Sequence, residues 1–304
     1  MTVITDWTTE KAKAFTRENL AFSHRLHERD LFSDEGLADL LDRYPREKLG
    51  VFTMGEDPAD WRTWRRGTPG SLRGAELLEA AGAGRIWLNL REANRWLPEY
   101  AALADEIFAD KAAHAPHART FKRDLGVLIS SAQAQVFYHL DVALVSLWQI
   151  RGEKRVWVYP PCAPFVTDED LEAIVLKETA EQFDFDPAWD SAAEVHDLKP
   201  GAMVTWRQNA PHRIENGPML NVSLSLEFMT AEALMRANVI YANGLLRRTL
   251  GARPKVHAGF GPPALAKVAV ARAAKALGLP RPNPRLLPPT FRLDAAKPGA
   301  LPPT

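Results

Sequence analysis

The stretch Gln135-Val136-Phe137-Tyr138-His139-Leu140-Asp141 and its distant counterpart Ala210-Pro211-His212-Arg213-Ile214-Glu215-Asn216 decide how this chain is read. With Gln135 to Leu140 as a strand, alternate side chains leave on opposite faces, so His139 and Asp141 project to the same side. One strand end then offers an imidazole and a carboxylate, and a distant strand must bring His212 to complete the set. Two imidazoles and one carboxylate leave coordination positions open, whereas a purely structural zinc site is closed by four protein ligands. His-x-Asp alone decides little: with 8 His in the chain, about half a match arises by chance. Its weight comes from what surrounds it.

Around Asp141 the periodicity is that of strands. Leu144 to Ile150 and Lys154 to Tyr159 form a hairpin about Gly152, preceded by Val127 to Ser130 and followed by Glu194 to Leu198, Ala202 to Trp206 and Leu220 to Phe228. Thr167-Asp168-Glu169-Asp170 reads as a capping box leading into a helix over Leu171 to Lys177. Met219 to Phe228 alternates, with Leu220, Val222, Leu224, Leu226 and Phe228 on one face and Asn221, Ser223, Ser225 and Glu227 on the other. In a half-buried sheet the polar face meets water. In a small barrel helices cover the apolar face, and Asn221, Ser223 and Ser225 line a ligand cavity.

Outward from this core, the first third reads as short helices and irregular segments. Ser33 caps a helix from Asp34 to Arg43, and Gly55 through Gly74 reads as loop. Ala75 to Ala81 is a short helix, Ile86 to Leu90 a strand, and Arg91 to Ala113 a helix restarting at Pro98. On the C-terminal side Thr230 caps a helix to Leu250, and Pro262 to Leu277 forms another; both are apolar enough to dock or to form a homodimer. The tail carrying Pro280, Pro282, Pro284, Pro288, Pro289, Pro298, Pro302 and Pro303 is expected to be extended and without helix. The division that follows is 1–125 N-terminal region with the first core strand, 126–229 β core, 230–278 C-terminal helices and 279–304 Pro-rich tail.

Composition sets the outer bounds. A chain of 304 residues with 46% hydrophobic residues can bury a substantial core. Its 38 basic and 38 acidic residues cancel, so no global charge draws it toward nucleic acid. Cys162, the single cysteine, excludes an internal disulfide and a multi-Cys zinc site, and is expected to be a small packed residue beside Pro160-Pro161. Met1 to Asn19 is charged throughout and does not read as a secretory signal, and no stretch reaches membrane-spanning length. A cytoplasmic location is the expectation.

A series of residues in this order resembles the JmjC and cupin-like 2-oxoglutarate oxygenases, particularly their hydroxylase branch. It consists of His139-Leu140-Asp141, then Trp148 through Pro161, then Lys199-Pro200-Gly201, then Trp206, and last Pro211-His212-Arg213-Ile214-Glu215. The resemblance covers Val127 to Phe228. It implies a mainly β fold with flanking helices: a double-stranded β-helix, jelly-roll or cupin-like, with N-terminal and C-terminal helical segments. It also implies that His139, Asp141 and His212 bind Fe(II), that Lys154 anchors the distal carboxylate of 2-oxoglutarate, and that a substrate is hydroxylated with release of succinate and carbon dioxide. A long cation at the end of a narrow pocket suits a dicarboxylate. Arg155 and then Arg213 are the fallback anchors. Close relatives have a Thr three residues before the first ligand and an Asn four after the Asp; this chain has Val136 and Val145 there. Tyr138, Asn221, Ser223 and Ser225 are the candidates to replace those hydrogen bonds.

Other histidines carry less. His114 and His117 flank Pro116 and read as loop; His196 and Asp197, adjacent in a strand, face opposite ways; His24 and His27 lie among charges that suggest a solvated helical face. Trp7, Trp61, Trp64, Trp87 and Trp96 read as core, with Trp87 and Asn89 placed to border the mouth of the barrel. Two other functions fit the same residues: a cupin-type metalloenzyme that does not use 2-oxoglutarate, and a non-catalytic binding or regulatory module. The substrate, peptide or small molecule, is not legible; selectivity would reside in the first third and in the loop Thr179 to Asp190.

Overall fold

The computed structural model describes residues 2–252, 254, 260–279, 287–294, 296, 299 and 301. Its strands are β1 (Leu20–Ser23), β2 (Gly50–Thr53), β3 (Arg65–Thr68), β4 (Trp87–Leu90), β5 (Phe121–Ser130), β6 (Gln135–His139), β7 (Leu144–Arg151), β8 (Lys154–Val158), β9 (Glu194–Leu198), β10 (Ala202–Thr205), β11 (His212–Asn216), β12 (Asn221–Met229) and β13 (Pro289–Arg292). They make a nine-stranded sheet in the order β1-β10-β7-β12-β5-β4-β2-β3-β13 and a four-stranded sheet in the order β6-β11-β8-β9. All neighbours are antiparallel except β13, which runs parallel to β3. This is the double-stranded β-helix with flanking helices.

Side-chain alternation explains how the two sheets close on each other. Val145 and Leu147 of β7, Val156 and Val158 of β8, Leu198, Val204 and Ile214 turn inward and pack together as the barrel interior. The opposite face of the large sheet, including Val127, Ile129, Trp148, Val222, Leu224, Leu226 and Phe228, is buried beneath helices Asp34–Arg43, Gly74–Ala83 and Pro98–His114. With both faces covered, β7 is buried at every position but Arg151, which is why its sequence is nearly unbroken in apolar residues. The barrel reading of Met219 to Phe228 therefore holds: the polar face of β12 points inward.

Local signals fixed the helices well. Ser33 accepts from the Gly36 amide at 3.1 Å, and Thr167 and Asp170 form the reciprocal capping box of helix Asp168–Val175. Helix Ala231–Leu250 ends at left-handed Gly251, and helix Pro262–Ala276 packs against it through Ala271 and Ala274.

Several expectations need correction. The first third supplies four strands to the large sheet, and the stretch expected as loop contains β3. Arg65-Arg66-Gly67-Thr68 has no apolar alternation; it is a strand because β2 and β13 flank it. The Pro-rich tail, expected to be extended, is so at Pro289–Arg292, where it adds β13 to the sheet. Pro280, Pro282, Pro284, Pro298, Pro302 and Pro303 lie outside the described residues. Cys162 is exposed, not packed, because it follows the β8 strand into a surface turn. His24 is buried rather than solvated: Nε2 lies 3.1 Å from the Ala202 carbonyl and Nδ1 accepts from the Leu26 amide.

Candidate metal centre

His139 is the last residue of β6 and His212 the first of β11, and the two are direct cross-strand partners. A register shift between His212 and Ile214 bends β11 at this point. The imidazole centroids are 4.1 Å apart. Asp141, two residues beyond His139, reaches the same side, and Oδ2 stands 3.4 Å from His212 Nε2. Ligand atoms of the three residues all lie within 4.8 Å of one another.

The carbonyls behind the rings set which nitrogen is free. His139 Nδ1 lies 2.7 Å from the Phe137 carbonyl and His212 Nδ1 lies 3.1 Å from the Ala210 carbonyl. Each Nδ1 thus donates to the backbone and leaves Nε2 as a lone-pair ligand. Burial pushes the Asp141 carboxyl up to about 6 and His212 well below its ordinary range. A divalent cation reverses that penalty, since it favours a carboxylate and neutral imidazoles. The donor set suits an octahedral metal with positions to spare.

The triad opens into a cavity of about 120 Å³ between the sheets. Leu128, Val136, Val145, Leu147 and Ile214 give it one apolar wall, so the two valines standing where the resemblance expects Thr and Asn face the cavity. Trp206 packs against His212 in a tilted arrangement with centroids 4.3 Å apart. On the other side Arg91 donates to Glu227 at 3.1 and 3.2 Å, and burial pushes Glu227 up to about 7. Asp124 is also raised by burial, and its Oδ1 is buried without a hydrogen-bond partner among the described residues.

Of the residues proposed to contact the cosubstrate, Ser225 lines the cavity. Asn221 and Ser223 lie deeper on the same strand face, both bound to Gln149: Gln149 Nε2 donates to Asn221 Oδ1 and Ser223 Oγ donates to Gln149 Oε1, each at 2.7 Å. Tyr138 leaves the strand on the face opposite His139, packs on Tyr159 and Phe185, and donates to the Phe165 carbonyl at 2.8 Å. Lys154 shares the inward face of β8 with Val156 and Val158 and is 6% exposed. It does not line the cavity itself. Burial alone pushes its ammonium down to about 7, and it has no hydrogen-bond or ion-pair partner among the described residues. The fallback anchors lie elsewhere: Arg155 points outward to Asp197 at 2.6 Å, and Arg213 stacks on Trp157 and pairs with Asp190 behind the sheet.

Trp87 and Asn89 border the cavity as their strand position suggests. Trp61 and Trp64, expected in the core, are half-buried at its approach. Sequence reasoning missed Arg91, Asp124 and Gln149. Arg91 follows Trp87 and Asn89 at the same two-residue step, which is the signal that marks it. Gln182, in the loop expected to govern selectivity, pairs with His139 through the backbone and so lies over the centre.

No family model and no curated protein matches the sequence. Solved structures do match by shape. An X-ray structure of E. coli ycfD superposes with a TM-score of 0.53 and 18% identity over 92% of this chain and 70% of that one. The Escherichia coli ribosomal oxygenase YcfD in complex with cobalt and 2-oxoglutarate gives 0.51 and 18% over 91% of this chain and 68% of that one. Its complex with cobalt and succinic acid gives 0.51 and 17%, over 92% and 69%. At this identity the likeness is one of fold: the chain has the double-stranded β-helix with N-terminal and C-terminal additions.

Proposed function

We propose that this chain is an Fe(II)- and 2-oxoglutarate-dependent oxygenase that hydroxylates a small molecule or peptide, with release of succinate and carbon dioxide. One observation carries the reading. His139, Asp141 and His212 converge with both Nε2 atoms free, and Lys154, buried and without a counter-ion among the described residues, faces the same barrel interior. A buried lysine without a partner is costly, and an anionic ligand removes the cost.

In this reading His139, Asp141 and His212 hold the metal, which when bound supplies the redox centre for dioxygen chemistry. Lys154 pairs with the distal carboxylate of 2-oxoglutarate. Val136, Val145 and Ile214 keep water from the reacting centre, and Ser225 is the one proposed hydroxyl placed at the cavity. Asn221 and Ser223 act behind it through Gln149, holding the interior rigid. A cupin-type metalloenzyme without 2-oxoglutarate would give Lys154 no role, so the cosubstrate reading is preferred. Iron(II) and a single cysteine fit a reducing, cytoplasmic setting. No described helix is long and apolar enough to cross a membrane.

Two variants test the assignment. Asp141→Ala should lose metal, whereas Lys154→Ala should keep metal and bind 2-oxoglutarate about thirtyfold more weakly or worse, the loss expected on truncating one side of a buried charge pair. Equal 2-oxoglutarate affinity in the lysine variant rules out Lys154 as the anchor. A homodimer through the C-terminal helices would use Leu265 and Val270, which are 52% and 42% exposed. Replacing both with Glu should then yield monomers in light scattering.

A further inference from the structure

The metal cavity does not end at Asn89 and Arg91. Together with Gln182 these residues also line a second cavity of about 540 Å³, which extends away from the barrel. The reason is topological. Beyond β4 the inward face of the large sheet continues over β2 and β3, where cross-strand pairing sets Trp87, Phe52 and Arg66 in one row and Asn89 and Gly50 in the next. A Cβ on Gly50 would lie 2.6 Å from the Phe52 ring and 3.3 Å from Asn89 Cβ, so glycine keeps this floor open.

Chemically the groove is aromatic and basic. Phe52 and Trp64 stack with centroids 5.1 Å apart, and Trp61 lies beside them. Lys48, Arg62, Arg66 and Arg91 line it, and no acidic side chain does among the described residues. Asp184 pairs with Arg62 at 3.1 Å and Glu227 with Arg91, which leaves Lys48 and Arg66 without a carboxylate partner among the described residues. At the neck, Asn89 Oδ1 is buried and accepts no hydrogen bond within the described residues. Buried acceptors of this kind call for a donor. Ala180 and Gln182 from the loop over the metal centre, and Leu287 from the tail, close the groove around a volume typical of a small-molecule site.

We propose that this groove holds the substrate, and that the substrate is a small aromatic acid. Its flat body lies on Phe52, Trp61 and Trp64, its anionic group meets Lys48 and Arg66, and a hydroxyl or amide N–H at the leading end donates to Asn89 Oδ1 as it enters the metal cavity. This assignment of substrate class rests on the oxygenase reading; the groove's binding preference can be tested without it.

The test uses the metal-free full chain and three probes that share a ring system: 2-naphthoate, 2-naphthylmethanol and 2-naphthylmethylammonium, titrated by tryptophan fluorescence and calorimetry. The expected order is naphthoate tightest and the ammonium weakest. Arg66→Gln should weaken naphthoate about tenfold, the size of one lost charge-assisted hydrogen bond, and leave the alcohol unchanged. Trp64→Leu should weaken naphthoate and alcohol alike. The proposal is overturned if the ammonium binds as tightly as naphthoate, as a groove for a basic peptide would require, or if Arg66→Gln leaves the preference intact, or if folded protein binds none of the probes. Because neither metal nor 2-oxoglutarate is present, failure here leaves the cosubstrate reading standing, and failure of 2-oxoglutarate binding leaves the groove result standing.

Discussion

Lys111 and Lys154 are both pushed down to about 7 by burial, yet their surroundings differ in kind. Lys111 donates to Ser146 Oγ at 2.8 Å and sits over the Phe108 and Phe228 rings at 5.2 and 4.7 Å. Its polar end is satisfied within the fold, so its role is structural. Lys154 has no such partners among the described residues, and in the proposed reading the distal carboxylate of 2-oxoglutarate supplies one. In the unfolded chain both titrate near their ordinary value of about 10.4. Between pH 7 and that value the unfolded chain binds more protons than the folded one, so stability rises with pH across this window and is lost as pH falls through it. The melting temperature of metal-free protein should therefore rise from pH 7 to pH 9. Lys111→Met should raise it at pH 7 by a few degrees and flatten the slope, since an apolar chain of similar length removes the desolvation cost. For the same reason 2-oxoglutarate binding to cobalt-loaded protein should weaken above pH 7, approaching about tenfold per unit. In Lys154→Arg this pH dependence should vanish, because guanidinium does not titrate there. Lys154 was singled out in the sequence by the resemblance, which sets the anchoring lysine two residues after the Gly152 hairpin. Lys111 was not: a lysine on the buried face of helix Pro98–His114 contradicts the pattern by which such faces are recognised.

Elements were legible in proportion to how local their causes are. β12 announces itself by alternation along its own length, and Ser33 and Thr167 cap their helices from within a single turn. Removing the Thr167 cap with alanine should cost about 1 kcal/mol in denaturant unfolding. β1, β3 and β11 have no such signature, because each is a short strand made by distant partners. β3 shows the dependence most sharply. A Cβ on Gly67 would collide with the Phe291 ring of β13, so only glycine lets the tail lie alongside. Gly67→Val should release β13, making the tail sensitive to limited proteolysis while the barrel stays intact. Cleavage at the wild-type rate would contradict that account. The stretch from Gly55 to Gly74 looked like loop for this reason: its order comes from Phe291, more than two hundred residues away in sequence.

At the scale of the whole molecule, the two facing sheets bring together three regions that the sequence does not show as neighbours: Lys154 and the triad histidines on the four-stranded sheet, and the aromatic, basic groove on the nine-stranded sheet beyond Asn89. The triad could be read from spacing because two of its ligands share a strand end. The groove could not, since β2, β3, β4, the loop at Gln182 and Leu287 meet there only after folding. In the proposed reading, metal and 2-oxoglutarate bind together at His139, Asp141 and His212. Anaerobic addition of iron(II) and 2-oxoglutarate tests it most directly. The account predicts a visible metal-to-ligand charge-transfer band in the wild-type chain and none in Asp141→Ala; a folded, iron-loaded wild-type protein that shows no band with saturating 2-oxoglutarate would contradict it.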